Sequence, residues 1–272
     1  MWRSVNKANG LIFVQVLAFW PVWRWYFIRM SDSSDEPWGL LALGTALFFI
    51  CRKGKIVQSS RSPSALIFPA ILILLYGGTF HLFPPLMRAV MAVTAIAFTI
   101  AALRPGRAFH LGTLGLFLLA LPVMPTLQFY LGYPLRILTG HVTASLLQLT
   151  GLPVIQEGSL LNWNGRLVWV DAPCSGIRMM WAGGYLVFTL ACYFEMNPLK
   201  TICAALVAFI AILLGNVWRA TALFYVESGT IVFPPWGHEL IGVTAFLFTS
   251  VIIVLATQII QRRVSCEPSF SI

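Results

Sequence analysis

Charge is what this sequence has least of: Asp, Glu, Lys and Arg together make up 10% of its 272 residues. A soluble domain carries roughly a quarter, so the deficit excludes an ordinary water-soluble domain. Cysteine excludes a second class. There are five, Cys51, Cys174, Cys192, Cys203 and Cys266, and an odd count with no regular spacing is neither a disulfide framework nor a zinc site. No metal and no cofactor is expected. A small-residue cleavage site is missing after the first apolar run, and Arg24 and Arg29 interrupt that run, so it reads as an uncleaved first helix and not as a signal peptide. The common hydrolase signatures are missing too. His238-Glu239 is followed by Leu240-Ile241-Gly242, so there is no His-Glu-x-x-His zinc motif. There is no Gly-x-Ser-x-Gly elbow and no Gly-x-Gly-Asp.

What is present is apolar length. Hydrophobic residues make up 58% of the chain, and a bilayer-spanning helix needs about 20 of them in succession. The sequence predicts eight spans, at 11–28, 38–51, 64–82, 86–103, 108–124, 176–194, 199–226 and 239–260. The expected fold is therefore an all-α polytopic membrane protein forming a single integral membrane domain over 1–272. The net charge of +9 would suggest nucleic acid on a soluble protein. Here the basic residues sit in short clusters between apolar runs, where they set topology and meet lipid headgroups, so membrane lipids are expected partners and nucleic acid is not. Cytoplasmic loops are enriched in Lys and Arg. Placing Arg52/Lys53/Lys55/Arg61, Arg104/Arg107 and Arg262/Arg263 inside is consistent with eight spans and puts both termini in the cytoplasm. Arg24 and Arg29 alone dissent.

The longest stretch outside the expected spans, 125–174, then faces outward. Over 133–151, Leu135, Leu138, Val142, Leu146 and Leu149 share one helical stripe, while Arg136, Thr139, Thr143 and Gln148 lie off it. That is an amphipathic helix in the membrane interface, or a short helix packed on the bundle; the two readings are compatible. Next, 159–162 and 166–170 flank Asn164-Gly165, a two-residue hairpin signal. Pro173 ends the second strand and leaves Cys174 between an outer hairpin and the sixth span.

Ionisable residues at membrane depth are expensive and are functional candidates by default. Cys174 begins the sixth span, Arg219 lies toward the outer end of the seventh, and His238 begins the eighth. Taken singly, each has a plain alternative: a packing cysteine, a headgroup anchor, a helix cap. Together they fall on one face. A thiol is the best side-chain nucleophile near neutral pH, and a neighbouring His activates it. Arg cannot act as a base but can hold an oxyanion or a carboxylate. Asn216, about one turn before Arg219, could orient it. Arg178 either pairs with a substrate carboxylate or bridges to Glu239 or Asp171. His141 is a rival base.

At Ala172-Pro-Cys174-Ser175-Gly176-Ile177-Arg178 the chain resembles the exosortase/archaeosortase family. That family has a Cys-Ser-Gly block, then an Arg in an Asn-x-x-Arg context, then a His after an outer loop. Here these are Cys174-Ser175-Gly176, Asn216-Val-Trp-Arg219 and His238. The stretches beginning at Tyr133-Pro-Leu-Arg and at Leu152-Pro-Val-Ile extend the likeness over 133–260. It departs from the family at Asp171-Ala-Pro, before the Cys, which bears on subtype. The resemblance implies a bacterial inner-membrane cysteine protease–transpeptidase. Its expected partners are exported proteins bearing a tripartite C-terminal sorting tail: a Pro-Glu-Pro motif, a transmembrane helix and a basic cluster. The tail is cut through a Cys thioester, with transfer to an acyl acceptor of unspecified identity and an association with extracellular polysaccharide. Ser175 and Glu239, flanking the Cys and the His, join Asn216 and Arg178 as supporting residues. Two readings of other classes remain. A polysaccharide export or ligase-type protein needs no nucleophilic Cys. A transporter predicts internal repeats and helices broken near the midplane; no repeat is evident, although Gly183-Gly184 is a possible weak point.

Overall fold

The computed structural model describes residues 2–31, 38–52, 63–103, 111–170, 175–231, 234 and 236–263. They form ten α-helices, one short 3-10 turn and one three-stranded sheet among the described residues. Two compact units are distinguished: Met1–Val123 with Phe188–Thr201, and Met124–Val187 with Ile202–Ile272.

The first unit contains α1 (Trp2–Ala18), α2 (Trp20–Ser31), α3 (Trp38–Arg52), α4 (Ile67–Gly78), α5 (Pro85–Leu103) and α6 (Leu111–Ala120). α5 packs against α1, α2, α4 and α6. It does so through small side chains, burying Ala89, Ala92, Ala95 and Ala97. Lipid supplies no hydrophobic drive between helices, so close approach of small residues carries the packing. Gly112 and Gly115 serve the same end, lying against Phe188 and Cys192.

The expected first span is not one straight helix. α1 and α2 meet at a 63° bend around Phe19. Pro21 supplies the cause: it has no N–H to continue the ladder, and its ring crowds the preceding turn. The expected fifth span ends earlier than the sequence suggests. α6 stops at Ala120, and α7 (Met124–Leu149) leaves at 94°, with Pro122 and Pro125 bracketing the corner. The segment from 125 to 132 is therefore helix and belongs to the same element as the amphipathic stretch. By length and composition three described helices can cross a bilayer alone, Pro85–Leu103, Pro198–Glu227 and Gly237–Arg262, or up to five elements if each bent pair is one span. The helices at Trp38–Cys51 and Ser64–Gly78 are apolar but shorter. The chain is thus a multi-pass α-helical membrane protein.

The second unit holds α7, the sheet, most of α8 (Ile177–Tyr193) and α9 (Pro198–Glu227), and α10 (Gly237–Arg263). On α7 the buried positions are Gly132, Thr139, Gly140, Thr143, Ala144 and Leu147, while Leu138, Leu146 and Leu149 are exposed. Its small and polar residues turn inward with Leu147, while Leu138, Leu146 and Leu149 face outward. Through the inward face the helix packs on the sheet strands that follow it.

The sheet has the order β1 (Val154–Glu157), β2 (Leu160–Trp163), β3 (Arg166–Trp169), all antiparallel. The Asn164-Gly165 turn forms as expected, with φ of +51° and +84°, the two positive values of a type I′ turn. Gly165 N–H donates to Asn162 Oδ1 at 3.2 Å. Leu160 faces Trp169 and Leu161 faces Val168. Val154, Leu161, Val168 and Val170 join Ala144, Leu147, Leu223 and Phe224 in one buried cluster, so the sheet is clamped between α7 and the end of α9. β1 is an additional strand beyond the expected hairpin.

Candidate active site

The residues 171–174, and with them Cys174 and Asp171, lie outside the described residues. The chain on either side of them is firmly placed. Upstream, Val170 N–H donates to Ser159 O at 2.9 Å, and the Val170 side chain is buried in the cluster with Leu223 and Phe224. Downstream, Ser175 is 2% exposed. Its hydroxyl donates to Gln128 Oε1 at 3.2 Å and accepts from Ile177 N–H at 3.5 Å. The second contact caps the start of α8, meeting one of the orphan N–H groups every helix begins with.

Gly176 has φ +77°, and a Cβ there would lie 3.0 Å from Asn216 Cγ. Glycine is required twice over, by the left-handed backbone and by the approach of α9. Asn216 is itself 2% exposed and donates from Nδ2 to Thr139 Oγ1 at 3.1 Å. The Ser175-Gly176 pair and Asn216 therefore form one locked contact between the start of α8, the middle of α9 and the inner face of α7. Val170 packs near Leu223 and Phe224, and Gly176 against Asn216. Val170 and Gly176 thus contact α9 at levels on either side of Arg219.

Arg219 follows Asn216 by one turn and is half-buried. Its Nε lies 3.5 Å from where a Cβ on Gly242 would sit, so the guanidinium stem crosses from α9 to the second turn of α10. His238 stands one turn earlier on α10, with Nδ1 3.5 Å from Glu227 Oε1. Glu227 is the last residue of α9, so the two helices meet through this pair as well. The His238 and Glu227 side chains are 49% and 37% exposed, and solvent screens such a contact to little energetic weight. Its interest is the orientation it gives the imidazole. Arg178, in the first turn of α8, and Glu239, in the first turn of α10, are exposed. His141 is exposed on α7.

The structure brings together Ser175, Gly176 and Asn216, and it leads the Arg219 side chain from α9 to the turn of α10 that follows His238. Sequence reasoning missed Gln128, Thr139, Glu227 and Gly242. Only Thr139 had left a signal, as a polar residue off the apolar stripe of α7. Cys192 is buried, whereas Cys51 and Cys203 are exposed, and none of the three is in a disulfide.

Gly176→Ala is expected to destabilise the fold by about 1–3 kcal/mol, since it adds left-handed strain and a methyl against Asn216. Gly151→Ala is the comparison: φ there is +90°, with nothing within 4 Å of the added Cβ. Thermal unfolding in one detergent should show the larger loss at Gly176. Equal losses would mean that Asn216 yields freely.

Apolar helices, a short three-stranded sheet and a buried polar contact at Ser175, Gly176 and Asn216, one turn from Arg219, define a multi-pass membrane protein with a built polar site among the described residues. The chain belongs to the transmembrane exosortase family, whose model matches residues 2–255. No curated protein and no solved structure is detectably similar. Membership supports a membrane-embedded protease or transpeptidase role in general.

Proposed function

We propose that this protein cleaves the C-terminal sorting tails of exported proteins through a Cys174 thioester. The carrying observation is the clamped contact around Asn216. It fixes Gly176, two residues after Cys174, against Asn216 of α9, one turn from Arg219, whose side chain leads to the turn of α10 next to His238. In the proposed reaction His238 takes the thiol proton, and the Cys174 sulfur forms a bond to the scissile carbonyl carbon. Arg219 holds the oxyanion. As the C–N bond breaks, His238 returns the proton to the departing amine, leaving a thioester. An acceptor nucleophile, water or a surface group, then gives its proton to His238 and bonds to the acyl carbon, and the C–S bond breaks to release the Cys174 thiolate, which takes that proton back from His238. Ser175 and Asn216 position this apparatus, and Glu227 steadies the imidazole. Arg178 and Glu239 are placed to meet a charged segment of the substrate.

The same reading has eight spans, cytoplasmic termini and an extracytoplasmic segment at 125–174, in a bacterial inner membrane. It treats 1–272 as one membrane domain, with the exosortase-like region at 133–260. The test is to trap the intermediate. Intact cells carrying a tail-bearing protein are quenched in acid, and a hydroxylamine-sensitive adduct is sought on Cys174 by peptide mapping. A membrane-impermeant maleimide added beforehand should prevent it. Lack of the adduct, or a Cys174 that the reagent cannot reach from outside, refutes the proposal.

A further inference from the structure

β3 is an edge strand among the described residues, because the order β1-β2-β3 leaves one of its sides without a neighbouring strand there. The register shows which backbone groups face that side. The hairpin closes at Trp163–Arg166 and pairs Leu161 with Val168, and Val170 N–H donates to Ser159 O. In an antiparallel ladder the directly bonded pairs alternate. Arg166, Val168 and Val170 therefore spend their backbone groups on β2, and the N–H and C=O of Leu167 and Trp169 point away from it. No described residue bonds to those four groups. The side chains are open as well: Leu167 is 51% exposed and Trp169 60%. Proteins usually blunt such an edge with a charge, a proline or a covering element, because it is a template for another strand. This one is held from behind by Val168 and Val170 in the buried cluster. Its far end is pinned where Arg166 Nη1 donates to Ser228 O.

Five residues beyond Trp169 the same chain reaches Cys174. We infer that the outer edge of β3 is the docking strand for the extended peptide that carries the scissile bond, added to the sheet as a fourth strand. This rests on the proposed function and names how that substrate is held. Main-chain pairing on a sheet edge gives affinity with little demand on side-chain identity. The direction follows from the topology. A protein with a C-terminal membrane tail runs from outside toward the membrane, and β3 runs from its outer turn toward α8, so the two strands are parallel. In a parallel pair each edge residue brackets one residue of its neighbour. Leu167 and Trp169 therefore engage substrate N–H groups two residues apart, and the N–H between them points away.

The test uses full-length protein in lipid nanodiscs, in a Cys174→Ala background so that binding is read without turnover. The probe is a synthetic peptide spanning the cleaved segment of a tail-bearing protein, unmodified or N-methylated at one position at a time. N-methylation at alternate positions is expected to weaken binding about fivefold to tenfold, with the intervening positions little changed, as for losing one main-chain hydrogen bond. Leu167→Pro removes an edge N–H without touching the bonds to β2, and it should weaken binding at least about fivefold more than Leu167→Ala. Val168→Pro, whose N–H serves β2, should lower the unfolding temperature far more than Leu167→Pro does. The inference is overturned by a methylation scan without period two, by equal losses in the Leu167 Pro and Ala variants, or by no binding at all. It is also overturned if β3 instead joins two copies of this chain, seen as a dimer that Leu167→Pro dissociates while peptide binding is unchanged. Thioester trapping in cells is read separately, so a flat scan alongside a trapped adduct removes the docking strand and leaves the proposed function standing.

Discussion

Cys174→Ala is expected to abolish cleavage of a tail-bearing protein, by about 10⁴-fold or more, while the protein still inserts at normal abundance. The size follows from the role. Removing a nucleophile that works as a unit with its base loses nearly all of the chemical acceleration, and what remains comes from binding and charge stabilisation alone. A methyl cannot form a thioester. Abundance should hold because the residues that anchor this part of the chain are its neighbours: Ser175 on Gln128, Gly176 on Asn216 and Val170 in the apolar cluster. Cys203→Ala, at an exposed position on α9, is expected to cleave normally. Cys192→Ala should also cleave normally, with some loss of stability, because Cys192 is buried against Gly112 and lies 3.6 Å from Thr113 Oγ1. Single-turnover cleavage at matched protein levels decides the matter. Wild-type rates in the Cys174→Ala variant would place the nucleophile elsewhere.

Arg219→Lys is expected to lose about 10²–10³ in the cleavage rate although the charge is kept. A guanidinium is a planar fork of donors, and an ammonium is a compact point charge. Arg219 reaches α10 with its Nε against Gly242, so the fork is held at a fixed height. A lysine there has neither the second donor nor the same rest. The loss should fall on kcat more than on KM, because contact with an oxyanion strengthens in the transition state. Arg219→Ala should be at least as severe. A headgroup anchor would behave otherwise: Lys would substitute well, and the Ala variant would lower membrane abundance. Near-normal cleavage by Arg219→Lys at equal abundance would remove Arg219 from the catalytic set and leave Cys174 and His238.

Local features of the fold were legible in the sequence where one short pattern decides the structure. Asn164-Gly165 specified a type I′ turn because only a residue pair tolerant of positive φ fits it. The starts of α8 and α10 followed from where the apolar runs begin. Bends were harder to read. Hydropathy is averaged over a window, so the runs through Phe19 and through Pro122 looked continuous, although Pro21 and Pro122 were both visible. β1 was missed because four residues after Pro153 are too few to show a period.

The site divides the same way. Cys174, Arg219 and His238 are legible as costly residues at span ends, whereas their supports are not. Thr139 and Asn216 stand 77 positions apart, and no local pattern links a helix face to a partner that far along the chain. Glu227 and His238 are coupled only by the geometry of the turn between α9 and α10.

The glycines of α8 and α9 act together as an index mark. A Cβ on Gly183 would lie 2.5 Å from Ile212 Cδ1 and 3.2 Å from Ile253 Cδ1, and one on Gly215 would meet Thr249 Oγ1. These are close axial notches between α8, α9 and α10, set deeper along the helices than the polar residues. Helices sliding past one another would most readily settle one turn away, about 5.4 Å, and such a slip would carry Arg219 out of level with the first turns of α10. The notches forbid it. Alignment of the polar end is therefore decided by close helix contacts that themselves take no part in the chemistry. Bulky replacements at Gly183 or Gly215 should behave as misregistration, leaving a folded protein whose parts no longer meet.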